Sequence, residues 1–150
     1  MLPRSGVVKY PDPFLRRVCR PVMVFDDDLR EQVGKMLDVL EEHHALGLAA
    51  CQIGWDARVL VMQGTPDVMV NPHWDSPNTD LVGEEEWCLS LPGVKSIVDR
   101  HPLIRVVWED MSRGLHSGWF RGLESRVIQH EVDHLNGVLI TDKGKVFGKR

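Results

Sequence analysis

The segment Gln129-His130-Glu131-Val132-Asp133-His134 constrains this chain more than any other, because it reads as H-E-x-x-H and that pattern works only on a helix. Two imidazoles four residues apart lie on one helical face, one turn above the other, where both can reach a single metal ion. A carboxylate directly after the first His sits where it can take a proton from a water that the metal activates. The stripe Leu123, Val127, His130 and His134 follows the same helical period. The metal face therefore runs on into an apolar face, which suits a substrate with a polar reacting group and an apolar side chain.

In the familiar H-E-x-x-H proteases the third ligand lies downstream. Only sixteen residues follow His134, with Asp142 as their one carboxylate and no His, Cys or Glu. Gly137 fits a longer H-E-x-x-H-x-x-G-x-x-H pattern, but Ile140 stands where its third His should be. The third ligand is expected from upstream, unless Asp142 serves: Cys19, Cys51, Cys88, another His or an acidic side chain.

A chain of 150 residues is expected to form one domain, burying about two-thirds of its unfolded surface. A net charge of −4 argues against a general nucleic-acid binder. The basic run Lys143, Lys145, Lys149 and Arg150 is a local exception, read either as a solvated end or as a contact for ribosomal RNA. Three cysteines make no disulfide framework and favour a reducing compartment. No apolar h-region opens the chain, and no apolar run approaches the ~20 residues that span a bilayer. A cytoplasmic protein with no membrane partner is expected.

Residues 1–25 carry Pro3, Pro11, Pro13 and Pro21 and read as irregular. Asp28 with Glu31 resembles a capping box, and Leu29, Val33, Met36, Leu37 and Leu40 form one stripe, predicting a helix over 28–43. Strands are expected at 58–62, 68–70 (stopped by Asn71-Pro72), 103–108 and 115–120, with residues 73–83 as loop and 109–114 as a hairpin turn. A second helix is expected over 123–136 with Gly137 at C′, then a short strand at 138–141. Helix, strands, helix predicts an α+β fold, with antiparallel sheets packed around a central metal-binding helix.

Two further motifs stand upstream. Glu86-Trp87-Cys88-Leu89-Ser90 precedes a Pro92-Gly93 turn; a lone Cys is ordinarily a small buried hydrophobe, but as a thiolate Cys88 would complete a His2Cys site. Gly47-Leu48-Ala49-Ala50-Cys51-Gln52-Ile53-Gly54 has small residues that let backbone approach a ligand, and Gln52 is a lone amide in an apolar stretch. In this order and spacing, the three segments resemble the peptide deformylase family, with its G-x-G-L-A-A-x-Q, E-G-C-L-S and Q-H-E-x-D-H motifs. The opening Val8-Lys9-Tyr10-Pro11-Asp12-Pro13 looks like that family as well.

The resemblance implies a deformylase fold, with Cys88, His130 and His134 holding one divalent metal ion. That ion would be Fe(II) in the cell, oxygen-sensitive, with Zn, Ni or Co in its place on purification. It implies Glu131 as general base and acid, and Gln52 with the Leu89 backbone N–H as the oxyanion hole. The substrate would be the N-formylmethionyl end of nascent peptides, deformylated to release formate, with a transient ribosome contact. Ala45, Leu46, Gly47 and Trp87 would line the channel, with the methionine side chain near Leu46, Leu123 and Val127 and Arg126 pointing away. Two positions depart from the motifs: Ala45 replaces the first Gly of the first, and Trp87 the Gly of the second. Trp87 either points outward or narrows the channel. Alternatives are a metalloamidase for another N-acyl group and an inactive paralogue that binds formylated peptides or the ribosome.

Overall fold

In the computed structural model, residues 6–147 are described. Pro3, Lys149 and Arg150 lie outside the described residues.

Helix α1 (Asp27–Glu42) starts one residue earlier than the stripe alone predicts. Its cap is Asp26, whose carboxylate accepts from Leu29 N at 3.1 Å, rather than Asp28. Leu29, Val33, Met36 and Leu40 are all buried, as their spacing requires.

The strands are β1 (Gly47–Ala49), β2 (Val59–Met62), β3 (Val68–Asp75), β4 (Val82–Glu86), β5 (Lys95–Arg100), β6 (Leu103–Glu109), β7 (Leu115–Arg121) and β8 (Lys145–Phe147). They form two antiparallel sheets, one ordered β1-β2-β3-β6-β7 and the other β4-β5-β8. The β3 strand does not stop at Asn71-Pro72. Asn71 turns left-handed (φ +50°), the register shifts between Val70 and His73, and pairing with β6 resumes through Asp75. The strain is held by side-chain bonds: Asn71 accepts from Val22 N at 2.8 Å and donates to Val22 O and Glu109, both at 2.9 Å. The loop expected at 73–83 thus shrinks to residues 76–81.

Helix α2 (Gly122–Leu135) lies between the sheets. Ile128 and Val132 pack on the five-stranded sheet against Leu60, Met62, Met69, Ile104 and Val106. Burying one such side chain contributes about 1.5–3 kcal/mol. Its other side meets β4 and β5 through charged groups. Gly137, left-handed at φ +72°, ends the helix; its N–H donates to His134 O, and Val138 N–H to Asp133 O. The strand expected at 138–141 is not formed. Asp142 accepts from Leu139 N at 2.9 Å and starts the short helix α3 (Ile140–Lys143), and strand structure resumes only at β8. No helix of the described residues is long and apolar enough to cross a membrane.

Candidate active site

Helix α2 carries His130 and His134 at successive turns, rings 5.1 Å apart between centroids. Cys88 reaches them from the turn after β4, with its sulfur 3.2 Å from His134 Nε2. One donor atom from each of the three lies within 4.8 Å of the others. Of the three cysteines only Cys88 is placed here; Cys51 donates to the His134 carbonyl at 3.4 Å instead, and Cys19 packs in the core with it. Asp142 pairs with Arg16 at the chain's other end.

Glu86 holds the assembly in register. His130 Nδ1 lies 2.8 Å from Glu86 Oε1. A carboxylate can only accept, so Nδ1 carries the proton and Nε2 is left to face the centre. Glu86 is itself buried and neutralised by Arg100 (2.9 Å to each oxygen) and Arg126 (2.6 Å). Arg100 continues to Asp133 at 2.5 Å, back on α2. Arg126 is also anchored on the Val98 and Val82 carbonyls, at 2.8 and 2.6 Å. It therefore faces β4 and borders the cleft instead of pointing away from it.

Burial favours the protonated Cys88 thiol, but the charges and hydrogen bonds of His134 and His130 outweigh it and hold the thiol well below its usual range. Burial likewise opposes charge on His130, but Glu131, Cys88 and Glu86 prevail and raise it. Glu131, 4% exposed, is raised: burial lifts the carboxyl further than His130 and His134 draw it down. Its Oε1 is buried with no hydrogen-bond partner among the described residues. A buried carboxylate oxygen beside a thiolate and two imidazoles fits a metal and its water, and the donor set suits Fe(II), Zn, Ni or Co.

Gln52 is buried, and its placement follows from the short 3-10 turn Ala50–Ile53. Its Oε1 accepts from Ala49 N at 2.9 Å, and this fixes which end is the amide nitrogen. Nε2 points to Ser90 Oγ (3.1 Å) and Cys88 Sγ (3.6 Å). Gly47 presses on the catalytic helix: a Cβ there would stand 2.7 Å from Val127 Cγ1 and 2.8 Å from Glu131 Oε2. Ala45 lies outside the left-handed region, so the extra methyl brings no backbone strain.

These residues open on a cleft of about 550 Å³ between β1 on one side, β4 and its turn on the other, and α2 as floor. Ala45, Leu46, Gly47, Trp87, Leu89, Leu123 and Val127 all border it, as does Glu131. Leu46 and Leu123 stand at its mouth, about half exposed, and Val127 lies deeper. The sequence reading missed Glu86, Arg100 and Asp133 as supports of the site. The signal available was two carboxylates flanking presumptive ligands, Glu86 two before Cys88 and Asp133 one before His134.

Two imidazoles on a helix, a low-pKa thiol across from them and a buried carboxyl between them define a metallohydrolase. The comparisons identify which kind. The Polypeptide deformylase family profile matches residues 5–149. The peptide deformylase of Pseudomonas aeruginosa is 36% identical over 142 residues, covering 91% of this chain and 84% of that protein. Among solved structures, the peptide deformylase of Thermotoga maritima superposes with a TM-score of 0.90 at 32% identity, covering 95% of this chain and 98% of that one. The Plasmodium falciparum peptide deformylase in complex with an inhibitor gives 0.89 at 36% identity, covering 93% and 89%. This chain belongs to the polypeptide deformylase family, an α+β fold and a metal-dependent hydrolase.

Proposed function

We propose that the protein removes the formyl group from the N-terminal formylmethionine of new polypeptides, with Cys88, His130 and His134 as the metal ligands and Glu131 as the proton carrier. The observation that carries this reading is the buried, raised Glu131 carboxyl beside the three converging donor atoms. When bound, a divalent metal supplies Lewis acidity that brings the pKa of water down toward about 7. Glu131 accepts the proton of the attacking water, and its raised pKa suits it to return that proton later. As water adds to the formyl carbon, negative charge builds on the formyl oxygen. Gln52 Nε2, held by the Ala49 bond to its other end, and the Leu89 backbone N–H donate to that oxygen. Glu131 then passes the proton to the departing amine. The C–N bond breaks, leaving formate and a free amino terminus.

The methionine side chain enters the cleft along Val127, below Leu46 and Leu123. We propose Fe(II) as the metal in the cell, as the family resemblance implies; one thiolate and two imidazoles also accept Zn, Ni or Co, which replace it on purification. We place the protein in the cytoplasm, where chains are started, with a transient ribosome contact as a further partner. An intact Glu131 and a donor-oriented Gln52 favour deformylation over a pure binding role, since a binder needs no base. The test is formate release from formyl-Met-Ala-Ser by protein purified anaerobically with Fe(II) or reconstituted with Ni(II). Release is expected, and Glu131→Ala should lower turnover at least ~10²-fold. Near-normal turnover in that variant would remove Glu131 from its role.

A further inference from the structure

We infer that Trp87 sets specificity, its exposed indole receiving an apolar and above all aromatic side chain at the second residue of a formylated peptide. The inference rests on the deformylase reading above.

The starting observation is an alternation. Glu86 is buried between Arg100 and Arg126, Cys88 is buried beside the two imidazoles, and Trp87 between them is 61% exposed. Both neighbours of the indole are thus fixed by directional bonds, so its backbone has little freedom. Lys95 Nζ lies over the ring, 5.5 Å from its centroid, and biases its orientation. A preorganised aromatic surface binds at low entropic cost.

The second observation is convergence. Leu46 and Leu123, also large, apolar and exposed, border the same cleft as Trp87. Single exposed apolar side chains need no explanation, but three around one opening form a contact surface. The peptide's own geometry says which residue meets it. In an extended chain successive side chains point to opposite sides. With the first side chain directed into the cleft along Val127, the second projects outward to the rim. The formyl group lies by Cys88, and Trp87 is the adjacent residue, one Cα–Cα step of about 3.8 Å away. Lys95 over one ring face also disfavours Lys or Arg at that second position.

The test compares kcat/KM for formyl-Met-Phe-Ser and formyl-Met-Gly-Ser. The native enzyme should prefer Phe about fivefold, a typical gain for one aromatic contact, and KM should carry the difference. In Trp87→Gly the ratio should fall below about twofold, and in Trp87→Phe at least half of the preference should return. A native ratio near one, or a preference that survives in Trp87→Gly, overturns the inference. Absence of formate from both peptides would instead sink the deformylase reading. Binding of formyl-Met-Phe-Ser and formyl-Met-Gly-Ser, measured by calorimetry, would then decide on Trp87 alone: tighter Phe binding lost in Trp87→Gly supports it, and equal binding overturns it.

Discussion

The two faces of α2 hold the same helix by opposite means. On one, Ile128 and Val132 sink into a wholly apolar cluster on the five-stranded sheet. On the other, Arg126, His130 and Asp133 meet the small sheet through Glu86 and Arg100, all buried. Apolar packing is non-directional and tolerates swaps that conserve volume. A buried ionic network is directional: complete, it fixes angles; deprived of one member, it leaves charges stranded in low dielectric. The first face therefore says that the helix stays, and the second says at what rotation. Only the second can aim His130 Nε2 at Cys88.

This contrast can be broken by experiment. The largest effect is expected from Glu86→Ala. It removes the acceptor that Arg100 and Arg126 share, leaving Arg100 with Asp133 and Arg126 with the Val82 and Val98 carbonyls, and it frees the His130 ring, so unfolding free energy should drop by about 3 kcal/mol and metal affinity by about 10–100-fold. Urea unfolding and a competitive metal titration read the two. Ile128→Ala should cost about 2–5 kcal/mol of stability through its cavity, while the folded variant keeps native metal affinity. If Ile128→Ala weakens the metal as much as Glu86→Ala does, the division of labour is wrong. Acid should sharpen the distinction. Burial works to raise the Glu86 carboxyl, but hydrogen bonds from Arg100 and His130 outweigh it and hold the group well below the usual carboxylate range. A depressed carboxylate stabilises fully above that range and loses its contribution as pH falls through the depressed value. The native protein should therefore lose more stability between about pH 5 and pH 3 than Glu86→Gln does. Ile128→Ala should run parallel to the native curve. The smallest effect is Ile128→Val, about 1 kcal/mol, with catalysis untouched.

The same contrast explains what was legible in the sequence. The apolar stripe of α1 and the His130–His134 spacing announce themselves, because a helix writes its buried face every three or four residues. So do Cys88 and Gln52, through the motif they sit in. β5 stayed hidden because its inward positions are Ser96, Val98 and Arg100: the alternation is present in burial but not in hydrophobicity. β1, of three residues, is too short to show any period. The continuation of β3 beyond Asn71-Pro72 depends on bonds to Val22 and Glu109, far away in the chain. The ionic support was unreadable for a similar reason: Glu86, Arg100 and Asp133 meet only once β4 and β5 have paired and the small sheet has closed on α2. Arg126, between Leu123 and Val127 on the helix, reads as pointing away from the methionine side chain until its partners on β4 and β5 are in place.

The alternation over residues 86–88 also bears on how such an enzyme can change over time. Glu86 and Cys88 turn inward and are tied to the reacting centre, while the position between them turns outward and is bonded to nothing that positions a ligand. Mutation at 87 can therefore sample side chains from glycine to tryptophan without disturbing its neighbours. A lineage can drift in which proteins it trims fastest while the hydrolytic machinery, one residue away on either side, is inherited unaltered.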